Sequence, residues 1–154
     1  MKNVYKRYHL IMEVCCLILC VLPLAYLFLH WHQLPTELPM HYDASGNVTR
    51  YGSKFEVLPL VFLYIGMYFL LTLVALCPYS WNLPVKVTEK NRDRVWGLAL
   101  TMILLLKLLI TSAYGYIILS MTGFFSMNRA FLPLMGAAGL LIVVVPCLMM
   151  RRYK

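Results

Sequence analysis

Four ionisable side chains lie close together in the polar segment after the first apolar run of the chain. They form two pairs with one residue between the members, His30 with His32 and His41 with Asp43. In an extended strand this spacing places both side chains of a pair on the same side. Imidazole and carboxylate groups are ligands of zinc and copper, so one hypothesis is a zinc or copper site formed by all four residues. The alternative is that His30 and His32, together with Trp31, anchor a helix end at a membrane interface. His41 would then have a separate hydrogen-bonding or ligand-contacting role.

Two further charges lie inside apolar runs, where a charge is costly unless it is paired or reaches water. Glu13 is about one turn into the first run, and Lys107 is near the middle of the third. The two could form an ion pair, although their depths differ on a rise of about 1.5 Å per residue. Alternatively, Glu13 is a shallow interfacial carboxylate, and the long side chain of Lys107 extends toward the interface.

Signatures of common enzymes are missing, including HExxH, GxSxG and the phosphate-binding P-loop. His41, Asp43 and Ser45 have the side-chain types of a hydrolytic triad, but no motif surrounds them. We therefore expect a non-enzymatic protein, and a membrane hydrolase ranks below the other functions considered.

The composition excludes a small soluble domain. Of 154 residues, 62% are hydrophobic and 13% are charged, whereas soluble domains average about 25% charged residues. The net charge of +8 is concentrated beside the apolar runs, as expected for contact with membrane lipids rather than nucleic acid. The five cysteines lie in or beside apolar runs without CxxC spacing, so no disulfide framework or zinc ribbon is expected.

Four apolar runs long enough to cross a bilayer predict an all-α polytopic membrane protein. The first run is too long for the core of a signal peptide, and no cleavage site follows it. With the N-terminus in the cytoplasm, ten Lys and Arg residues lie on inner segments and three on outer ones. This bias predicts that both ends are inside. The predicted helices span residues 10–29, 57–77, 97–119 and 131–150, with an outer loop at 31–56 and an inner loop at 78–96.

The two long loops have different expected structures. The outer loop contains prolines and a turn cluster at residues 43–47, which predicts a defined path rather than a helix or a long strand. Within it, Lys54 could pair with Asp43 or hold an anionic headgroup. In the inner loop, Thr88 is predicted to be the N-cap of the third helix, with Glu89 in its first turn.

Two loop motifs resemble those of the SdpI-like membrane proteins. The outer loop contains P-x-H-Y-x-x-x-G at residues 39–46 and then G-x-K at 52–54. The inner loop contains N-x-P-x-x-V-T-x-x-N-x-x-R at residues 82–94. The resemblance covers about residues 20 to 110. Lys90 departs from the family, which often has an acidic residue there, and the four predicted helices suggest a short, single-module member.

The resemblance implies a multi-pass protein of the bacterial cytoplasmic membrane. The best-understood relatives protect a cell against a secreted peptide toxin, and they can signal its presence to a cytoplasmic regulator. The leading hypothesis is therefore an immunity or sensing protein whose outer loop binds a peptide, a lipid headgroup or a metal. The expected ligand-binding residues are Pro39, His41, Asp43, Gly46 and Lys54. Carried over from the family, the inner-loop motif residues are Pro84, Thr88, Asn91 and Arg94.

The main alternative is a small proton-coupled transporter that uses Glu13, because small multidrug exporters also have four helices and a glutamate in the first. The charge bias, the shallow position of Glu13 and the 26-residue outer loop weigh against it. Small residues in the third and fourth helices allow close packing, either within one chain or in a homo-oligomer.

Overall fold

The computed structural model describes residues 6–153, and over that range four α-helices are long and apolar enough to cross a membrane. This confirms the four predicted helices, with shifts at their ends. Lys2 and Lys154, which the charge count includes, lie outside the described residues. The helices are α1 (Arg7–Leu29), α2 (Val57–Leu76), α3 (Arg92–Met121) and α4 (Phe131–Arg151).

Helix α3 lies at the centre of the bundle. It packs against α1, α2 and α4, whereas α4 packs chiefly against α3. Large apolar side chains are exposed along the outer faces of α1, α2 and α4. Such faces are suited to lipid, and the protein has the architecture of a multi-pass membrane protein.

A proline inside α1 accounts for one contact between the helices. Pro23 has no N–H, so the carbonyl oxygen of Leu19 lacks its usual helical donor. The hydroxyl group of Tyr64 in α2 donates to that oxygen at 2.7 Å and also lies 2.9 Å from the Thr111 carbonyl oxygen of α3. Gly115 allows α3 to approach α1 closely at this point, because a Cβ at residue 115 would be 2.8 Å from Cγ of Pro23.

The segment between α1 and α2, predicted to be an ordered loop with a defined path, is a β-hairpin, which corrects the expectation of an all-α fold. Strands β1 (Glu37–Tyr42) and β2 (Val48–Ser53) pair antiparallel. The pairing is irregular between Pro39 and His41, and a two-stranded sheet tolerates Pro39 because both of its strands are edges. A short 3-10 turn (Lys54–Glu56) then leads into α2.

The hairpin is held to the helices by buried apolar side chains. Leu38 of β1 is 2% exposed, and burying a leucine side chain contributes about 2 kcal/mol. It belongs to an apolar cluster that joins α1, the hairpin, α2 and α3, whose fully or nearly buried members are Cys20, Leu27, Leu34, Leu38, Val57, Val61, Tyr64, Ile118 and Met121.

Helix α3 begins later than the predicted N-cap. The N-cap is Asn91 rather than Thr88, because the side-chain oxygen of Asn91 accepts a hydrogen bond from the Thr88 N–H at 2.7 Å and holds residues 88–91 in a turn. The Asn91 amide group also donates to the carbonyl oxygen of Tyr153 at 2.8 Å. The start of α3 and the end of α4 therefore lie at one end of the bundle, here called the basic end. The start of α1 lies there too, since the His9 ring is 2.9 Å from the Thr101 hydroxyl oxygen of α3. The opposite end, with the hairpin and residues 122–130, is called the hairpin end.

Candidate functional site

The hairpin turn is organised around one carboxylate. Asp43 Oδ1 accepts from the backbone N–H groups of Ser45 and Asn47, both at 2.8 Å, and Oδ2 accepts from the Asn47 side chain at 3.0 Å. These hydrogen bonds, chiefly those from Asn47, hold the pKa of Asp43 below its usual value. Asp43 is therefore a turn-forming residue whose lone pairs are largely occupied.

Gly46 joins the turn to the other loop at this end. Its φ of +87° lies in the left-handed region, which glycine adopts at little cost. A Cβ at Gly46 would be 2.5 Å from the carbonyl oxygen of Met127, in the loop between α3 and α4. The glycine of the predicted motif thus brings the two loops into contact.

His41 lies on β1 near the turn. Its Nδ1 is 2.6 Å from the hydroxyl oxygen of Thr49 on β2, and that hydroxyl group also donates to the His41 carbonyl oxygen at 3.3 Å. This contact fixes the imidazole ring against the paired strand while the residue stays exposed. The His41 ring therefore has a defined orientation and remains accessible from outside the protein.

An ion pair that the sequence analysis missed lies beside the hairpin. Arg50 Nη1 donates to Glu56 Oε2 at 2.9 Å, and the other carboxylate oxygen accepts from the Ser53 N–H at 3.1 Å. Arg50 and Glu56 lie on either side of the G-x-K motif, six positions apart. This spacing does not by itself predict an ion pair, because the contact depends on the 3-10 turn between β2 and α2.

These residues surround a cavity of about 330 Å³ at the hairpin end. Its volume is near the lower limit for small-molecule sites. Tyr42 is part of its wall, and burial raises the pKa of the Tyr42 phenol. The apolar side comes from the hairpin, α2, α3, α4 and the loop before α4, and includes Met40, Leu60, Ile117, Met121, Met127, Phe131 and Leu132; the polar side includes His41, Asp43, Arg50, Glu56 and Asn128.

Lys54, expected to contact a ligand, is not part of the cavity wall. Its ammonium group donates to the Trp31 carbonyl oxygen at 3.0 Å and lies 5.3 Å from the centroid of a Trp31 ring. Trp31 also packs edge-on against Phe55. Because Trp31 follows the end of α1, Lys54 holds the end of that helix to the start of α2. Pro39, also expected at the site, pairs with Tyr51 in the hairpin and is outside the wall.

The structure does not bring the four expected metal ligands together. His30 Nδ1 turns back to the carbonyl oxygen of Tyr26 at 3.0 Å, and Asp43 is occupied by its own turn. Across residues 6–153, no three His, Cys, Asp or Glu side chains are close enough to share a metal ion. In the same range, no hydrogen bond joins His41 to Ser45, so no triad is assembled there.

The inner-loop motif lies at the other end of the bundle and ties chain segments together. Asn91 links the turn at Thr88 to the end of the chain, as described above. Arg94 lies over the Tyr153 ring, 5.3 Å from its centroid. Pro84 is exposed, and its neighbour Val85 is buried against α3 and α4.

The two charges inside the helices form an ion pair. Lys107 Nζ donates to Glu13 Oε2 at 2.5 Å and to the Thr72 hydroxyl oxygen at 2.8 Å. The ammonium group also lies 4.0 Å from the centroid of the Tyr68 ring. The Lys107 side chain is fully buried, and that of Glu13 is 19% exposed. Contrary to the expectation of a shallow interfacial carboxylate, Glu13 is therefore the partner of a charge that joins α1, α2 and α3.

In comparisons with known proteins, one family model matches the part of the chain that contains the hairpin. Residues 18–65 match the family model of Domain of unknown function (DUF1648). The matched segment runs from within α1, through the hairpin, into α2, so it contains the Asp43 turn, His41 and Lys54. No curated protein and no solved structure matches the chain.

Proposed function

We propose that this protein is a non-enzymatic immunity or sensing protein of the bacterial cytoplasmic membrane, and that the cavity under its hairpin binds part of a secreted peptide. The observation that carries the proposal is the cavity itself. An apolar wall beside a histidine and an ion pair suits an apolar side chain that enters from a peptide whose polar backbone stays at the rim.

The resemblance of residues 39–46 and 52–54 to SdpI-like proteins supports the immunity role. The motif residues have distinguishable tasks in this proposal. His41 and the Arg50–Glu56 pair contact the ligand, whereas Gly46, Asp43 and Lys54 hold the hairpin in place. A metal is not needed for this binding mode.

The proposed orientation places the hairpin end outside the cell. Support comes from the excess of Lys and Arg at the basic end, which favours the cytoplasmic side. In this orientation, a secreted peptide meets the cavity from outside, and the inner loop remains available to a cytoplasmic regulator.

The test is protection of a susceptible bacterial strain by the protein, measured as the minimum inhibitory concentration of purified membrane-active bacterial peptides. Leu132 lines the cavity and Leu134 does not, although both belong to α4 and are 60% exposed. We expect Leu132→Trp to fill the cavity and remove most of the protection, and Leu134→Trp to retain it.

A second matched pair tests the polar side of the same cavity. His41→Ala should lose protection, whereas His32→Ala, which changes an exposed histidine outside the cavity wall, should not. Membrane levels of all variants are compared by immunoblot. Full protection by Leu132→Trp and His41→Ala at normal levels would refute the proposal.

The alternative function, a proton-coupled transporter, depends on Glu13. Its carboxylate bonds to Lys107, so a transport cycle would have to break that ion pair to load a proton. Substrate-dependent proton movement in proteoliposomes that disappears in Glu13→Gln would favour the transporter over the immunity protein.

A further inference from the structure

A second cavity lies at the basic end, away from the hairpin. Its volume is about 470 Å³, and it opens between the starts of α1 and α3 and the residues after α4. The Asn91 bond to the Tyr153 carbonyl oxygen holds one wall in place. The wall is formed by Lys6, Tyr8, Asp93, Arg94, Gly97, Leu98, Thr101 and Tyr153.

Two cations face this cavity, and each lies over an aromatic ring. Lys6 Nζ is 6.0 Å from the centroid of Tyr8, and the guanidinium carbon of Arg94 is 5.3 Å from the centroid of Tyr153. Asp93 is the acidic residue in the wall. Within residues 6–153 the ion pairs are Arg50–Glu56 and Glu13–Lys107, so neither cavity cation forms an ion pair with Asp93.

Beside the cavity, a chain of hydrogen bonds ties α1 to α3 and includes the wall residues Lys6, Gly97 and Thr101. The backbone N–H of Lys6 donates to His9 Nδ1 at 3.1 Å, so the ring proton is on Nε2. That proton is donated to the Thr101 hydroxyl oxygen at 2.9 Å, and the hydroxyl group donates to the Gly97 carbonyl oxygen at 2.8 Å. These bonds hold the backbone of Lys6 beside α3, and the side chains of Lys6 and Arg94 both line the cavity, where they can meet an anion.

We propose that this cavity binds the phosphate group of an anionic phospholipid. Arg and Lys are the side chains that hold phosphate, and Arg can do so with two parallel hydrogen bonds. Basic pockets between transmembrane helices are a recurrent setting for lipid headgroups. Tyr8 and Leu98 supply an aromatic and an aliphatic surface beside the cations, where the glycerol and upper acyl carbons of a lipid would lie. The wall has a net positive charge, so it favours phosphatidylglycerol over phosphatidylcholine. Phosphatidylcholine has its own ammonium group, and Lys6 and Arg94 would repel it.

The experiment measures lipid binding to detergent-purified full-length protein by native mass spectrometry. Dioleoyl phosphatidylglycerol and dioleoyl phosphatidylcholine are compared for the wild type and two double variants. Lys6→Gln with Arg94→Gln removes the cavity cations. Lys90→Gln with Arg151→Gln removes the same charge from exposed residues of the basic end that are outside the wall.

We expect the wild type and the control double variant to prefer phosphatidylglycerol, and the cavity double variant to bind it about tenfold more weakly. Equal loss in both double variants would mean general attraction between the basic end and anionic lipid, and would overturn the proposal. Inorganic phosphate is added as a competitor to separate the two sources of a phosphate group. Displacement of the lipid by micromolar inorganic phosphate would assign the cavity to a soluble phosphate compound instead, and would also overturn it.

Discussion

Within the described residues 6–153, two ion pairs lie in very different surroundings. Arg50 and Glu56 are 2.9 Å apart beside the hairpin, with side chains 55% and 45% exposed. Lys107 and Glu13 meet between three helices, with side chains 0% and 19% exposed. The two ion pairs are therefore expected to contribute differently to the stability of the fold. Exposed pairs contribute little to stability, whereas a buried charge cannot lose its partner without a large penalty.

The two ion pairs also differ in whether a ligand could reach them. Lys107 is surrounded by a carboxylate, a hydroxyl group and an aromatic ring, which leaves no space for a ligand at its ammonium group. The Arg50–Glu56 pair and His41 line a cavity. A charge inside a membrane segment is a functional candidate by default, yet here the membrane-embedded pair joins helices and the exposed pair lies at the candidate site.

The largest expected effect is that of Lys107→Met. It leaves the Glu13 carboxylate unpaired between the helices, which we expect to destabilise the protein by about 3–5 kcal/mol. The measurement is thermal unfolding in detergent. The double variant Lys107→Met with Glu13→Gln should recover part of the loss, because no charge remains unpaired. A change below about 1 kcal/mol in the single variant would mean that the pair is not structural.

The next effect concerns how firmly the hairpin is held. Gly46→Ala adds a Cβ at positive φ that would meet the Met127 carbonyl oxygen, so we expect a loss of about 1–2 kcal/mol. Limited proteolysis should then cut the hairpin faster. Gly66→Ala in α2 is the control, because a Cβ there meets nothing within 4 Å. Equal proteolysis of the two variants would contradict the role given to the contact between the loops.

Replacement of the exposed pair should have a smaller effect on stability than on binding. Arg50→Gln is expected to lower the free energy of unfolding by less than about 1 kcal/mol. If the cavity binds a peptide, the same variant should reduce protection of the susceptible strain. A stability loss as large as that of Lys107→Met would remove the contrast between the two pairs.

The sequence predicted the helices well because each one is a continuous apolar run, a local property of the chain. The hairpin was missed because its strands are six residues long, one contains Pro39, and pairing depends on the turn at Asp43 and Gly46. Gly46 was expected at the site, but its contact with Met127 spans distant parts of the chain.

Pairing between helices could be proposed from the sequence but not decided. The partnership of Glu13 with Lys107 depends on how far α1 is shifted along α3. That shift is set by packing, including the close approach of Pro23 to Gly115. In the same way, the spacing of the pairs His30/His32 and His41/Asp43 allowed the hypothesis of a shared metal ion, whereas the structure turns His30 back onto α1.

The smallest expected effect is confined to the hairpin turn and depends on pH. The hydrogen bonds to Asp43, chiefly those from Asn47, lower the pKa of its carboxyl group from its usual value. A lowered pKa in the folded state means that the stabilisation is fully present above about pH 4 and is lost as the pH falls through the lowered value. The amide signals of Ser45 and Asn47, followed by NMR in detergent, should therefore titrate with a midpoint below that of an ordinary aspartate carboxyl group, which is about 3.9. Asp43→Asn keeps an acceptor oxygen but no titrating proton, and its signals should not move through this range. A midpoint at or above that ordinary value in the wild type would show that the turn does not hold the carboxylate, and Asp43 could then not be said to order this part of the cavity wall.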